Sequence, residues 1–160
     1  MARIAGSCGA LPLVRAGRID SRPARSNGAE AANHVILGLG IDLVHIERLE
    51  RVLARHPERA LERFFTTRER DSCLERARPH ECLAARLAVK EAFLKAIGTG
   101  LRDGIAWTEM DVRAGPRGRP SLRVSGRARE RLDDLGVART HVSISHDAGV
   151  AVAVVVLDGD

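Results

Sequence analysis

Lysine is scarce in this 160-residue chain: 24 of its 26 basic residues are arginine, and the only two lysines, Lys90 and Lys95, lie beside Glu91 in one short segment. A compact, strongly hydrated ammonium kept in one place, in a chain that elsewhere uses guanidinium, points to a task for which the two cations are not equivalent. If the segment is helical, residues four apart lie about 40° from each other around the axis, so Arg86 and Lys90 share one stripe and Glu91 and Lys95 the next. One carboxylate among three cations suits a polyanionic substrate with a hard metal ion, the carboxylate holding the ion and the cations taking phosphate charge. A solvated helix face with a Glu91–Lys95 surface pair has the same spacing, and both readings stay open at this point.

Two other positions carry chemistry. Asp42 follows Gly40 and Ile41 at the end of an apolar run and before an amphipathic stretch, where loops commonly present functional groups; helix N-capping is its alternative use. His45, three residues on, is neither Glu nor Gln, so the reciprocal capping box is missing. His146 ends a segment in which Val142 and Ile144 alternate with Ser143 and Ser145, placing two hydroxyls and an imidazole where they can meet a phosphate or simply close a hairpin. No G-x-S-x-G elbow accompanies them, so a hydrolase triad is not indicated.

The elements that must position these groups can be read from the pattern. Val35 to Ile41 is an apolar run of strand length. Leu43 to Arg55 has Ile46, Leu49 and Leu53 at helical spacing, and Pro57 marks a break. Glu58 to Arg76 reads as helical in pieces anchored by Phe64 and Phe65. Glu81 to Ile97 is the clearest helix, rich in strong helix formers and closed by Gly98-Thr99-Gly100. Short strands are predicted over Ala106–Arg113 and Ser121–Ser125, a helix over Gly126–Leu135, and a terminal hairpin from His141–His146 and Val150–Leu157.

Composition bounds the rest. The length allows one core, and no apolar run reaches the ~18 residues of a membrane span. The net charge of +5 invites a nucleic-acid reading, but five arginines against two acidic residues lie in residues 1–34, while residues 35–160 are nearly balanced. One Trp, three Phe and no Tyr leave few rings for base stacking, which argues against nucleic acid as a partner. Residues 1–34 show neither structural period and are expected to form a disordered or weakly ordered basic extension to a folded part, 35–160. Cys8, Cys73 and Cys82 have no zinc spacing and are expected to be reduced thiols in a cytoplasmic protein.

Together these pieces resemble the holo-acyl-carrier-protein synthase family. Gly38-Leu39-Gly40-Ile41-Asp42 resembles its G-I-G-x-D motif, Phe65-Thr66-Thr67-Arg68-Glu69 its F-T-x-x-E element, and Arg86 to Gly100 its R-x-A-x-K-E-A-x-x-K-A-x-G-T-G signature. Val142 to His146, followed by Ala151-Val152-Ala153, is similar to its closing strands. The resemblance spans 35–157, and the central signature is its most specific part.

The resemblance implies a small single-domain α+β 4'-phosphopantetheinyl transferase fold, with an antiparallel sheet packed with helices, assembled as a homotrimer with sites between subunits. It implies transfer of 4'-phosphopantetheine from coenzyme A to a serine of apo-acyl carrier protein, with release of adenosine 3',5'-bisphosphate, in fatty-acid or polyketide synthesis. Asp42 and Glu91 would ligate Mg2+ and, with Lys95, form the catalytic set; Lys95 would neutralise the pyrophosphate. Arg86, Lys90, Gly98, Thr99 and His146 would bind coenzyme A. Arg48, Arg59 and Arg63 would meet the carrier protein. The general base is left open among Glu91, Lys95 and a metal-bound water. A metal-dependent hydrolase of nucleoside diphosphates and a noncatalytic carrier-binding module are the alternatives.

Overall fold

The computed structural model describes residues 35–160, so the expectations for residues 1–34, including Cys8, lie outside it. Strand β1 (Val35–His45) leads into helices α1 (Ile46–Arg55), α2 (Pro57–Phe64), α3 (Thr67–Leu74) and the long α4 (Pro79–Ala96). A 3-10 turn at Trp107–Glu109 precedes β2 (Met110–Ala114), which pairs antiparallel with β3 (Pro120–Val124). Helix α5 (Gly126–Asp134) and the hairpin of β4 (Val137–Asp147) and β5 (Val150–Gly159) complete the chain. The hairpin and β1 form an antiparallel sheet in the order β1-β5-β4. These elements match the expected α+β class, and the sheet is antiparallel throughout as expected.

Helix α4 is the centre of the described fold, packed against both the sheet and the other helices. It is apolar on more than one face: Ala88, Val89, Ala92, Phe93 and Leu94 join the core shared with β2, β3, α5 and the sheet, while Leu83 and Ala84 join a second cluster with Leu49, Leu53, Ala60 and Phe65. A helix lying between two apolar layers is buried nearly all round, and its few polar positions are therefore held by packing rather than by solvent.

Among the boundaries that differ from the pattern-based reading, which include an earlier start of β4 at Val137, two have a clear physical cause. Strand β1 continues to His45 because it finds a partner in β5 along nearly its whole length, from Val35 opposite Gly159 to His45 opposite Val150. Pairing along an adjacent strand outweighs the local helical period that starts at Leu43. Asp42 is consequently inside the strand, and the N-cap of α1 is His45, which makes no side-chain cap. The predicted strand 106–113 is shortened at its start, where the 3-10 turn intervenes.

The cysteine expectation is corrected. Cys73 and Cys82 are joined in a disulfide, with their Cα atoms 5.4 Å apart. The pair lies nine residues apart and closes the turn between α3 and α4, a spacing that no zinc or C-x-x-C rule detects.

Glycine decides how β1 meets α4. A Cβ at Gly38 would strike the carbonyl oxygen of Ala96, and one at Gly40 the carbonyl oxygen of Ala92, both far inside contact distance. The strand backbone therefore lies directly on the helix backbone. Replacing Gly40 by Ala forces the two apart, because a helical carbonyl cannot turn aside. The expected loss is about 1–3 kcal/mol of unfolding free energy, read as a lower urea midpoint.

Candidate functional site

Strand alternation places Gly38, Gly40 and Asp42 on the same face of β1, toward α4. With two glycines letting the strand down onto the helix, Asp42 arrives beside the stripe that carries Glu91 and Lys95. Lys95 Nζ donates to Asp42 Oδ1 at 2.7 Å and to the carbonyl oxygen of Ile41 at 3.0 Å. The lysine thus bonds across to the strand, and the Glu91–Lys95 surface pair allowed by spacing is not what the ammonium makes. Asp42 is 9% exposed, and its second oxygen, Oδ2, is buried with no donor.

Glu91 is half-buried against this group. Burial pushes its carboxyl up to about 6, helped by the negative charge of Asp42 and by hydrogen bonding to it, and opposed by Lys95 and Arg48. Two carboxylates thus converge within one chain, where like charges raise the cost of ionising both. An orphaned buried carboxylate oxygen facing a second carboxylate is a donor set for a hard cation. Among the described residues no group of three His, Cys, Asp or Glu could hold a metal, so further ligands would come from water or substrate oxygen.

Beside Glu91 runs a groove of about 270 Å³, lined by Leu43, Leu49, Val52, Phe64 and Leu87, with Arg48 at its side. It is mostly apolar, with a carboxylate and a guanidinium at the edge. Arg48 is exposed on α1, and Arg59 and Arg63 are exposed on α2.

A larger cavity of about 510 Å³ opens elsewhere on α4, lined by Arg76, Arg78, Glu81, Cys82, Arg86 and His146 among others. Arg86 is 6% exposed, its Nε has no hydrogen-bond partner, and burial lowers its pKa, with Glu69 opposing that shift and Arg76 adding to it. A buried guanidinium with an unpaired donor beside a cavity is a ready anion site. His146 Nδ1 lies 3.1 Å from Glu81 Oε1. Arg76 and Arg78 were not singled out from sequence, where Arg76 ended a helical stretch and Arg78 lay between elements; two arginines around Ala77 just before Pro79 are the signal that marks them.

Lys90 is not available to a cofactor, which corrects the expectation for it. It is fully buried, and its ammonium donates to Glu69 Oε2 at 2.7 Å, the Phe64 carbonyl at 2.7 Å and the Trp107 carbonyl at 3.0 Å. Those three bonds use every proton it has. Glu69 also accepts from the backbone N–H of Thr66 and of Val112, each at 2.9 Å. The partner was readable as a capping box, since Thr66-x-x-Glu69 is its signature and the structure forms it.

Gly98 and Thr99 stand at the far end of α4. Gly98 has φ +76° with nothing within 4 Å of where a Cβ would be. Thr99 lines a separate cavity of about 180 Å³ with Arg127 and Arg131. Within the chain the expected site residues therefore form three groups: Asp42, Glu91 and Lys95 with Arg48 nearby; Arg86 with His146; and Gly98 with Thr99.

A small antiparallel α+β domain with paired carboxylates beside a lysine, and a separate arginine-lined cavity, is the architecture of a phosphate-handling enzyme. The family model described as the 4'-phosphopantetheinyl transferase superfamily matches residues 38–155, and the chain belongs to that superfamily. It is 49% identical over 124 residues to the holo-[acyl-carrier-protein] synthase of Trichlorobacter lovleyi, covering 78% of this chain and 98% of the relative. The crystal structure of the Neisseria meningitidis holo-[acyl-carrier-protein] synthase superposes with a TM-score of 0.70 at 30% identity, covering 77% of this chain and 98% of that one. The Helicobacter pylori enzyme, solved in complex with coenzyme A, superposes with a TM-score of 0.66 at 33% identity, over 74% and 98% of the two chains.

The raised Glu91 carboxyl has a consequence for stability. The unfolded chain releases this proton near 4.5 and the native protein near 6, so the native state binds more protons in between and loses stability as pH rises through that window. In metal-free protein, Glu91→Gln is expected to match wild type in Tm below pH 4 and to exceed it above pH 6.5. A Tm difference that does not change across pH 4–7 would contradict the assignment.

Proposed function

We propose that this chain is a holo-acyl-carrier-protein synthase, transferring 4'-phosphopantetheine from coenzyme A to a serine of apo-acyl carrier protein and releasing adenosine 3',5'-bisphosphate. The observation that carries this reading is the convergence of Asp42 and Glu91, from β1 and α4, with Lys95 bonded to one of them. The orphaned Oδ2 of Asp42 facing a second carboxylate fits a hard ion such as Mg2+, which Asp42 and Glu91 would hold. When bound, the ion supplies charge neutralisation for a diphosphate.

Lys95 contributes a second positive charge at the same place and orients Asp42 through its 2.7 Å bond. Arg86 and His146, with Arg76 and Arg78, take the remaining nucleotide phosphate in the larger cavity. Gly98 keeps the backbone open to close approach, with Thr99 beside it. The serine hydroxyl attacks the β-phosphorus, and these groups act by alignment and by stabilising negative charge.

The carrier protein docks on the arginine face of α1 and α2, through Arg48, Arg59 and Arg63, with acidic side chains as their partners. Arg48 links that surface to the reaction, since its charge reaches Glu91. The acceptor serves fatty-acid or polyketide synthesis in the cytoplasm. No described helix is long and apolar enough to cross a membrane.

The working unit is a homotrimer. The outer face of the sheet carries Leu39, Ile41 and Leu43, which are 61%, 54% and 51% exposed, beside Val152, Val154 and Val156 of β5. A continuous apolar sheet face of this kind is characteristic of an interface. Arg86 and Glu91, five residues apart on α4, point about 140° apart, so a ligand that meets both kinds of group is better served by two neighbouring subunits than by one.

Incubation of the protein with apo-acyl carrier protein, coenzyme A and Mg2+ is expected to add one phosphopantetheine to the carrier by mass spectrometry. Asp42→Asn and Glu91→Gln are each expected to lower kcat/KM by roughly 10²–10³-fold. Nucleotide release from coenzyme A without a carrier protein would instead favour a hydrolase.

Ile41→Asp is expected to leave the fold intact, because the side chain is exposed in the subunit, yet to shift the protein from trimer to monomer in light scattering. Retention of the trimer by this variant would place the interface elsewhere.

A further inference from the structure

The cavity lined by Arg86 and His146 also has a disulfide cysteine among its lining residues. Cys82, half-buried, lines it, and its partner Cys73 is fully buried at the end of α3. Between them the chain makes the exposed turn that carries Arg76 and Arg78 to the same cavity. We infer that Cys73–Cys82 is a thiol–disulfide modification site, open to dithiol reductants, whose state sets how firmly the cavity grips an anionic phosphate. The inference rests on the reading above that this cavity takes a nucleotide phosphate of coenzyme A.

Besides the disulfide, the α4 end of the turn is held by side-chain pairs of partly exposed groups, His146 with Glu81 at 3.1 Å and His80 with Glu50 at 3.0 Å. Helix α3 has eight residues, too short to be stable alone, and its only buried residues are Glu69 and Cys73. Glu69 anchors its first turn, leaving Cys73 as the anchor of its last. At the other end of the turn, α4 starts without a side-chain cap, and the Arg78–Glu81 contact is an exposed pair at 3.4 Å. Arg76, Arg78 and Arg86 gather around one cavity with Glu81 as the carboxylate on its wall. Like charges repel in the empty cavity, so a covalent tie across the base of the turn keeps the arginines together before any anion arrives. Such pre-organisation raises affinity by removing the cost of ordering side chains on binding.

Of the two cysteines only Cys82 is partly exposed, and it lines the cavity. A thiolate of the reductant attacks Cys82 Sγ from the cavity, the Cys73–Cys82 bond breaks, and Cys73 leaves as thiolate and takes a proton. The reductant's second thiol then displaces Cys82 from the mixed disulfide. Two electrons and two protons pass from the dithiol to the protein, and the reductant is left as a disulfide. In a reducing compartment the open form accumulates, and a small-molecule disulfide restores the tie by exchange, taking up the two electrons and two protons as it is reduced to thiols.

The test uses the full chain with Cys8→Ser, so that only this pair reports. Native-state alkylation followed by mass spectrometry counts free thiols before and after dithiothreitol, and calorimetry gives the Kd of coenzyme A for each form. The expected result is none free before reduction and two after, with a Kd weakened on the order of tenfold and an unchanged far-ultraviolet spectrum. Cys73→Ala/Cys82→Ala is expected to bind like the reduced form. Arg76→Ala/Arg78→Ala is expected to bind weakly in both forms, with no further loss on reduction. Coenzyme A binding that is equal in the oxidised and reduced forms overturns this inference and leaves the transferase reading standing. Two free thiols that an oxidant such as diamide cannot join also overturn it alone. Absence of coenzyme A binding in either form overturns both.

Discussion

The site depends on one close approach, the seating of β1 on α4 with no side chain between them at Gly38 and Gly40. A strand normally stands off a helix by the width of its side chains. Here the carbonyls of Ala92 and Ala96 occupy the space that Cβ atoms would need. The next residue on that face, Asp42, is therefore delivered to the helix at the level of Glu91 and Lys95. The arrangement buries a carboxylate, which is unfavourable unless it is compensated, and the bond from Lys95 supplies the opposite charge at 2.7 Å. The oxygen that Lys95 does not reach is the one left without a donor.

Much of this was legible in the sequence, for identifiable reasons. The long helix announced itself by composition and by its closing glycine, and Gly98 has the positive φ that a C′ position favours. The terminal hairpin followed from alternation, and Val142 and Ile144 do face inward while Ser143 and Ser145 face out. The place of Asp42 was harder. Locally it reads as a helix cap, and only the pairing of β1 with β5, more than a hundred residues on, makes it a strand residue aimed at α4. The disulfide was invisible for a similar reason, since cysteine spacing says nothing of whether two helices bring Cys73 and Cys82 together.

The two lysines show where composition misleads. Both were marked by scarcity, yet they have opposite surroundings: Lys95 is exposed at the carboxylate pair, while Lys90 is sealed inside the protein. Lys90 and Glu69 tie the end of α2, the start of α3, α4, the Trp107 turn and β2 to one point. A buried ion pair of this kind adds less to stability than its short distance suggests, because both charges have lost their hydration. What it does supply is register. Neither the glutamate nor the lysine can accept another partner without stranding the other charge. The helix carrying Glu91 is thereby fixed in rotation as well as in position.

Fixing that rotation has a geometric consequence. With α4 unable to turn, Glu91 faces the strand and the apolar groove, while Arg86 faces the arginine-lined cavity. No rotamer change brings a carboxylate and a guanidinium five residues apart to the same spot on a rigid helix. A substrate with a diphosphate at one end of its nucleotide and a further phosphate at the other needs both kinds of group, and a second copy of the chain can present one beside the other. The apolar outer face of the sheet gives such copies a surface to share. On the proposed trimer, the rigid core that prevents a single subunit from closing its own site is the same feature that makes assembly productive.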